Sequence, residues 1–140
     1  MPPLTRWYVR SSFLYLVATL VTGVWLAARA VWPGSLPGSS ALSPIYFHLL
    51  MIGWVTQLIF GIANWMFPVY TREAPRRSES LGIATYFLLN TGLLLRIVAE
   101  VGVAEAGTTG WRWLLGGALL LLFLAALAFV ANTWGRVTGN

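Results

Sequence analysis

The sequence has no cysteine, no lysine, one histidine and few charged residues of either sign. Charged residues make up 9% of its 140 residues, whereas soluble domains usually contain about a quarter. Without cysteine, the chain has no thiolate zinc site, iron–sulfur cluster or thiol-attached haem. Four acidic and nine basic residues are too few to cover the surface of a small soluble domain. These absences exclude an ordinary soluble enzyme, a disordered chain and a disulfide-stapled secreted domain.

Hydrophobic residues are abundant, at 58% of the chain, and the mean hydropathy is +0.73. They form four long apolar runs separated by short connections rich in glycine, proline, serine or charge. Each run has at least the roughly 20 residues that a membrane-spanning helix needs. We therefore predict an all-α polytopic membrane protein, a bundle of four transmembrane helices in a single domain over residues 1–140. The predicted helices cover about residues 7–32, 45–70, 81–103 and 111–134.

The arginines flank the apolar runs and predict the orientation of the helices. Six of them precede helix 1, lie between helices 2 and 3, or follow helix 4: Arg6, Arg10, Arg72, Arg76, Arg77 and Arg136. The positive-inside rule then places both termini in the cytoplasm. The predicted location is the bacterial cytoplasmic (inner) membrane, with the first run retained as a helix, because it is long for a signal peptide. Scattered flanking arginines indicate a lipid bilayer as the partner and not a nucleic acid.

Four ionisable residues fall inside the predicted spans: Arg29, His48, Arg96 and Glu100. At about 1.5 Å per residue, all four lie within roughly 10 Å of the outer interface. Ionisable groups inside a membrane are costly, so each is a candidate functional residue. A purely structural interpretation is also open, with Arg29 reaching the headgroups, Arg96 and Glu100 paired at i,i+4, and His48 bonded to a neighbouring helix.

A haem site is the functional interpretation of this layer. Haem iron needs an axial imidazole in an apolar slot, and its propionates need cations near the aqueous edge. His48 is the candidate metal ligand, and Arg29 and Arg96 are the candidate propionate partners. Met51, one turn inward on the His48 face, is a candidate wall of the cofactor slot. The haem would be haem b, and Glu100 has no assigned role.

The opposite face of helix 2 repeats small residues and carries two amides. Gly53, Gln57, Gly61 and Asn64 follow one another at helical spacing. Small residues allow close helix approach, and amides form hydrogen bonds across it. We interpret this stripe as structural packing.

Helix 2 as a whole resembles the second transmembrane helix of haem–copper oxidase subunit I. The residues that carry the resemblance are His48, Met51, Gly61, Asn64, Trp65 and Pro68. In that family the histidine is an axial ligand of the low-spin haem, which implies the same role for His48. The chain is also similar to the nitric-oxide-response haem membrane proteins of the NnrS group.

The single histidine limits what the resemblance implies. Oxidase subunit I has further haem and copper histidines, so one copy of this chain lacks the copper site and the oxygen-reducing centre. Subunit I consists of three similar four-helix arcs, and this chain corresponds to one. The resemblance therefore implies a homo-oligomer, either a trimer that imitates the three arcs or a dimer with two copies of His48 on one haem.

Three functions follow from the sequence. The first is a haem b-binding membrane protein in electron transfer or nitric oxide and oxygen binding, with a respiratory electron-transfer partner. The second is a non-catalytic accessory or assembly protein with no cofactor. The third is a small transporter or channel that uses the buried polar residues. Glu100 is the sole buried acidic residue in the predicted spans. No general acid–base pair, nucleophile triad or phosphate loop is present in the sequence.

Overall fold

The computed structural model describes residues 1–68 and 78–137 and contains four long helices. Each is long and apolar enough to cross a membrane, which confirms the predicted all-helical fold of a multi-pass membrane protein. No strand occurs within these two described ranges. The helices are α1 (Pro3–Val31), α2 (Leu42–Met66), α3 (Glu79–Glu105) and α4 (Thr109–Val137).

The helix ends have local causes. α1 begins at Pro3, because proline suits the first turn, where its missing N–H has no intrahelical acceptor. α3 begins after Ser78, whose hydroxyl accepts a hydrogen bond from the Leu81 amide at 3.1 Å. α3 is followed by Gly107 at φ +62°, a left-handed conformation in which the Gly107 amide bonds back to the Gly102 carbonyl at 3.2 Å.

Part of the predicted second span and the loop after it cannot be compared with the structure. The predicted end of that helix at residue 70 lies outside the described residues. So do Arg72, Arg76 and Arg77, and the predicted orientation in the membrane stays a prediction. In the described part, α2 ends at Met66.

Helices that follow one another in the chain run in opposite directions, whereas α1 and α3 run parallel. Contacts at Tyr8 with Gly82 and at Tyr15 with Asn90 show that α1 and α3 run parallel. The α2 helix runs against α1, because the Gly53 backbone packs on Tyr15 and the Gly61 backbone packs on Tyr8.

Contacts with α3 and α2 also give the direction of α4. It runs against α3, because Gly82, Gly92 and Gly102 of α3 face Asn132, Leu122 and Trp111 in turn. It is therefore parallel to α2, whose Phe60 ring stacks on Phe129 at 3.7 Å between centroids. We call one end of the bundle the Ser78 end, where α1 and α3 begin, and the other the Gly38 end, where α2 and α4 begin.

Glycines allow α2 to approach α1 closely. A Cβ atom at Gly53 would lie 2.8 Å from the Tyr15 side chain, and one at Gly61 would lie 2.6 Å from Tyr8. The predicted packing stripe of α2 is buried, including Gln57 at 0% exposure and Asn64 at 6%. In these positions small residues let the helix backbones and the tyrosine rings meet.

The middle of α2 is a π-helix over Leu49–Thr56, between α-helical segments Leu42–His48 and Gln57–Met66. Hydrogen bonds in a π-helix join residues five apart, so the segment holds more residues per turn than an α-helix. The Thr56 hydroxyl bonds to the Met51 carbonyl, also five residues earlier, at 2.7 Å. The extra residue sets the rotation of Gln57 relative to His48, and π-helical segments are frequent at functional sites.

Two side chains of α4 form hydrogen bonds to backbone groups at the Ser78 end. The Arg136 guanidinium donates to the carbonyls of Asn64, Phe67 and Pro68 at 3.2, 2.7 and 3.0 Å, respectively. Asn132 bonds to both the amide and the carbonyl of Ser78. Arg136 is 2% exposed, so the arginine that the sequence placed among the flanking topology signals caps the end of α2.

Candidate functional site

Asn90 on α3 is the centre of a polar network that joins three helices. Its side-chain oxygen accepts hydrogen bonds from the Tyr15 hydroxyl at 3.0 Å and from the Gln57 amide at 3.3 Å. Its side-chain nitrogen donates to the Tyr86 carbonyl at 2.8 Å. One amide thus ties α1 and α2 to α3.

The network continues toward the Ser78 end through Tyr86. The Tyr86 hydroxyl shares a 2.6 Å hydrogen bond with the Ser11 hydroxyl of α1. The Tyr86 ring meets the Tyr8 ring edge to face, with centroids 5.1 Å apart. We call Ser11, Tyr15, Gln57, Tyr86 and Asn90 the central polar network.

The network lies near the midplane of the bundle. Tyr15, Gln57 and Asn90 are each within about 5 Å of the midpoint of their helix, at 1.5 Å per residue. Polar side chains at this depth have no bulk water to bond to. They are retained either because they pair with one another or because they bind something that crosses the membrane.

Gln57 has an acceptor that the protein leaves unused. Its side chain is fully buried, and its Oε1 atom has no hydrogen-bond partner among the described residues. A buried polar atom without a partner costs on the order of 1–3 kcal/mol. A hydroxyl or N–H group of a bound solute would satisfy this atom and recover that cost.

The residues predicted to hold haem lie toward the Gly38 end, each with a local contact. The His48 ring Nδ1 is 2.6 Å from the Pro44 carbonyl. Arg96 forms an ion pair with Glu100 at 3.2 Å, and both side chains are mostly buried.

Arg29 and Met51 have other surroundings than the Arg96–Glu100 ion pair. The guanidinium of Arg29 packs over the Gly38 backbone in the connection between α1 and α2. Met51 is 54% exposed on the outside of the bundle. Within the described residues, no hydrogen bond or ion pair joins Arg29, His48 and Arg96 to one another.

Sequence reasoning missed most of the central polar network. Gln57 was interpreted as packing, whereas Asn90, Tyr15 and Tyr86 were not singled out. One signal was present, because Asn90 is a lone amide in the middle of an apolar span. Uncharged polar residues in a span also form hydrogen bonds across helices. A search restricted to ionisable residues passes over them.

Comparison with known proteins gives one informative similarity. The chain is 30% identical over 107 residues to a D-xylose transporter of Levilactobacillus brevis. The match covers 73% of this chain and 23% of that transporter, so the chain spans about a quarter of its relative's length. No family model matches the chain, and no solved structure matches it.

This similarity corrects the function predicted from the sequence. The prediction of a haem b-binding protein in electron transfer or gas binding is wrong, because the relative points to transport. The haem prediction depended on the shared depth of His48, Arg29 and Arg96 and on the resemblance of helix 2 to oxidase subunit I. Shared depth does not require contact, and Arg96 already has Glu100 as its counter-ion.

Other predictions from the sequence are not affected by this correction. Within the described residues there is no group of three or more histidine or acidic residues placed to hold a metal ion. The resemblance of α2 to oxidase subunit I is not addressed by the transporter similarity and stays a prediction. The same holds for the homodimer or homotrimer, and for the individual roles given to His48, Arg29, Arg96 and Met51.

Proposed function

We propose that this chain is a transport unit of the bacterial cytoplasmic membrane that moves a neutral, sugar-like solute. The observation that carries the proposal is the 30% identity to a D-xylose transporter over 107 residues. Because the chain spans 23% of that protein, we propose transport for the matched part and assign its substrate only by chemical class.

The chemistry of the central polar network supports a neutral solute. Its side chains are amides and hydroxyls, and none of them carries a charge at neutral pH. A sugar presents hydroxyl groups that both donate and accept hydrogen bonds. The unused Gln57 Oε1 suits a sugar hydroxyl donor, whereas a carboxylate or phosphate solute would place an unpaired charge in the membrane.

The outer surface of the bundle is suited to contact with lipid or with other helices. Large apolar side chains are exposed on all four helices, among them Leu14, Met51, Phe87 and Phe123. Such surface faces lipid or other helices in a membrane. We infer that two or three copies of the chain assemble through part of this surface.

Uptake by proteoliposomes tests the proposed function. Purified protein is reconstituted into liposomes and supplied with radiolabelled D-xylose, glycerol, D-xylonate or phosphate. We expect D-xylose to enter faster than into empty liposomes, with saturation, and the two anions to be excluded. Entry of D-xylose at the rate of empty liposomes would overturn the proposal, and saturable entry of the anions alone would overturn its substrate class.

A further inference from the structure

The four helices pack as two hairpins, α1–α2 and α3–α4, and each hairpin is closely packed near both of its ends. Within α1–α2, the Gly23 and Gly61 backbones pack on tyrosine side chains of the partner helix. Within α3–α4, the Gly102 backbone packs on a tryptophan ring at one end, and Asn132 bonds to Ser78 at the other. Each hairpin is therefore held together along its whole length.

Hydrogen bonds between the two hairpins lie at the midplane and toward the Ser78 end. Tyr15 and Gln57 of the first hairpin bond to Asn90 of the second, and Arg136 of the second bonds to three carbonyls at the end of α2. From Asn90 to the Gly38 end, no hydrogen bond or ion pair joins the hairpins within the described residues. The polar contacts there stay inside one hairpin.

The contact between the hairpins at the Gly38 end is apolar. Ala41, Ile45 and Leu49 of the first hairpin form a buried cluster, and Ile97 of α3 packs against it. In a membrane such packing has no hydrophobic driving force, because lipid tails are as apolar as these side chains. Hydrogen bonds between helices add to the attraction that packing provides. The hairpins are therefore held together more strongly in the Ser78 half than in the Gly38 half.

The Arg96–Glu100 ion pair favours separation of the hairpins at the Gly38 end. Arg96 and Glu100 continue, at helical spacing, the face of α3 that carries Leu93. Leu93 is 0% exposed and lies against Gly53 of α2. The two charged side chains are 14% and 19% exposed, and Arg96 Nε has no hydrogen-bond partner among the described residues. Buried ions lose their hydration, so water that enters between the hairpins stabilises both side chains.

We propose that the two hairpins part at the Gly38 end while their bonds at the Ser78 end hold, and that Ile97 is the gate between the central polar network and the water on that side. The present structure has the gate closed, because the Gln57 side chain is 0% exposed. A solute reaches Gln57 Oε1 only after the hairpins part. The opening itself depends on the contacts between the hairpins, whereas its use as a solute entrance rests on the proposed transport function.

Distances between pairs of spin labels, measured by electron paramagnetic resonance in liposomes, test the opening. The sequence contains no cysteine, so two introduced cysteines are the only labelled residues. Ser43→Cys with Thr109→Cys joins exposed positions at the starts of α2 and α4. The matched pair, Met66→Cys with Val137→Cys, joins exposed positions at their ends. We expect two distances for the first pair and one for the second. Thermal unfolding of each labelled protein verifies that it is folded.

Variants at the gate should shift the population of the longer distance in opposite directions. Ile97→Ala weakens the apolar contact, so we expect it to raise that population about threefold relative to the shorter distance. Val98→Ala, at the 53% exposed neighbouring position, is the control and leaves the population unchanged. Arg96→Met with Glu100→Met removes the charges that gain hydration, so we expect it to lower the population about threefold.

The outcomes separate the gate from the proposed function. A single distance at the Gly38 end in both the wild type and Ile97→Ala, or an equal second distance at the Ser78 end, overturns the gate. Saturable uptake of D-xylose by the same protein then leaves the transport proposal standing. Two distances at the Gly38 end that Ile97→Ala shifts, without uptake by proteoliposomes, overturn transport and leave the gate.

Discussion

The Tyr15 hydroxyl of α1 donates a 3.0 Å hydrogen bond to the Asn90 side chain of α3, across the middle of the bundle. The same Asn90 oxygen accepts from Gln57 of α2. Three helices therefore meet at one amide at a depth where no bulk water is available. The network joins the three helices at the midplane, and Oε1 of Gln57 has no partner among the described residues.

Asn90→Leu should destabilise the protein, because the Tyr15 hydroxyl and the Gln57 amide lose their shared acceptor. Hydrogen bonds between membrane helices contribute about 0.6–2 kcal/mol each. Leaving buried donors unpaired adds to the loss, so we expect about 1–3 kcal/mol. Thr91→Leu, at the exposed neighbouring position, is the control. Thermal unfolding in detergent measures both variants, and equal unfolding midpoints would contradict the structural role of Asn90.

Gly61→Ala should also destabilise the bundle, because its added Cβ would lie 2.6 Å from the Tyr8 side chain. Overpacking of this kind costs about 1–3 kcal/mol. Gly116→Ala on α4 is the matched control, since a Cβ there meets no atom within 4 Å. We expect this control to be neutral or slightly stabilising, as alanine favours helix formation. A smaller effect at Gly61 than at Gly116 would argue against the close approach of α1 and α2.

Arg136→Gln should lower the free energy of unfolding, because the guanidinium bonds to three carbonyls at the end of α2. We expect a loss of about 2–4 kcal/mol, since these are charge-assisted bonds in a buried position. Arg136→Lys recovers only part of the loss, because an ammonium lacks the planar fork.

Arg112→Gln, at an exposed position on the same helix, is the control for Arg136. It should leave the unfolding midpoint of the purified protein unchanged. If Arg136→Gln behaves like Arg112→Gln, the cap on α2 is not a stabilising contact.

Glu100→Gln should destabilise the Gly38 end, because it leaves the mostly buried Arg96 without its counter-ion. Breaking one partner of a buried pair is more costly than removing both, and up to about 3–5 kcal/mol is lost in fully buried cases. The double variant Arg96→Met with Glu100→Met should recover most of the stability. A double-mutant cycle by thermal unfolding measures the coupling, and additive effects would show that the two side chains act independently.

The sequence was sufficient to predict the membrane class, the four helices and the packing stripe of α2, because long apolar runs and small-residue spacing act locally. It was not sufficient to locate the polar network. Tyr15, Gln57 and Asn90 come from three helices, and their meeting depends on helix rotation. That rotation is set partly by the π-helical segment Leu49–Thr56, which shifts the register from the usual 3.6 residues per turn.

The predicted haem-protein function is overturned by the transporter similarity, whereas the roles of His48, Arg29 and Arg96 stay predictions. These three residues were placed together by their distance from the membrane surface. Depth along a helix is readable from sequence, but the direction of a side chain around the bundle depends on every neighbouring helix. In the structure Arg96 pairs within its own helix and Arg29 packs over a loop.

The most direct test of the account is counterflow exchange of D-xylose in proteoliposomes by the wild type, Gln57→Leu and Thr91→Leu. Leucine at position 57 preserves the packing volume but removes the unused acceptor and the hydrogen bond to Asn90, so thermal unfolding verifies that the variant is folded before its exchange rate is compared. The account predicts rapid exchange by the wild type and by Thr91→Leu, and at least a tenfold slower rate for Gln57→Leu. Exchange by Gln57→Leu at the wild-type rate, or no exchange by the wild type, would contradict it.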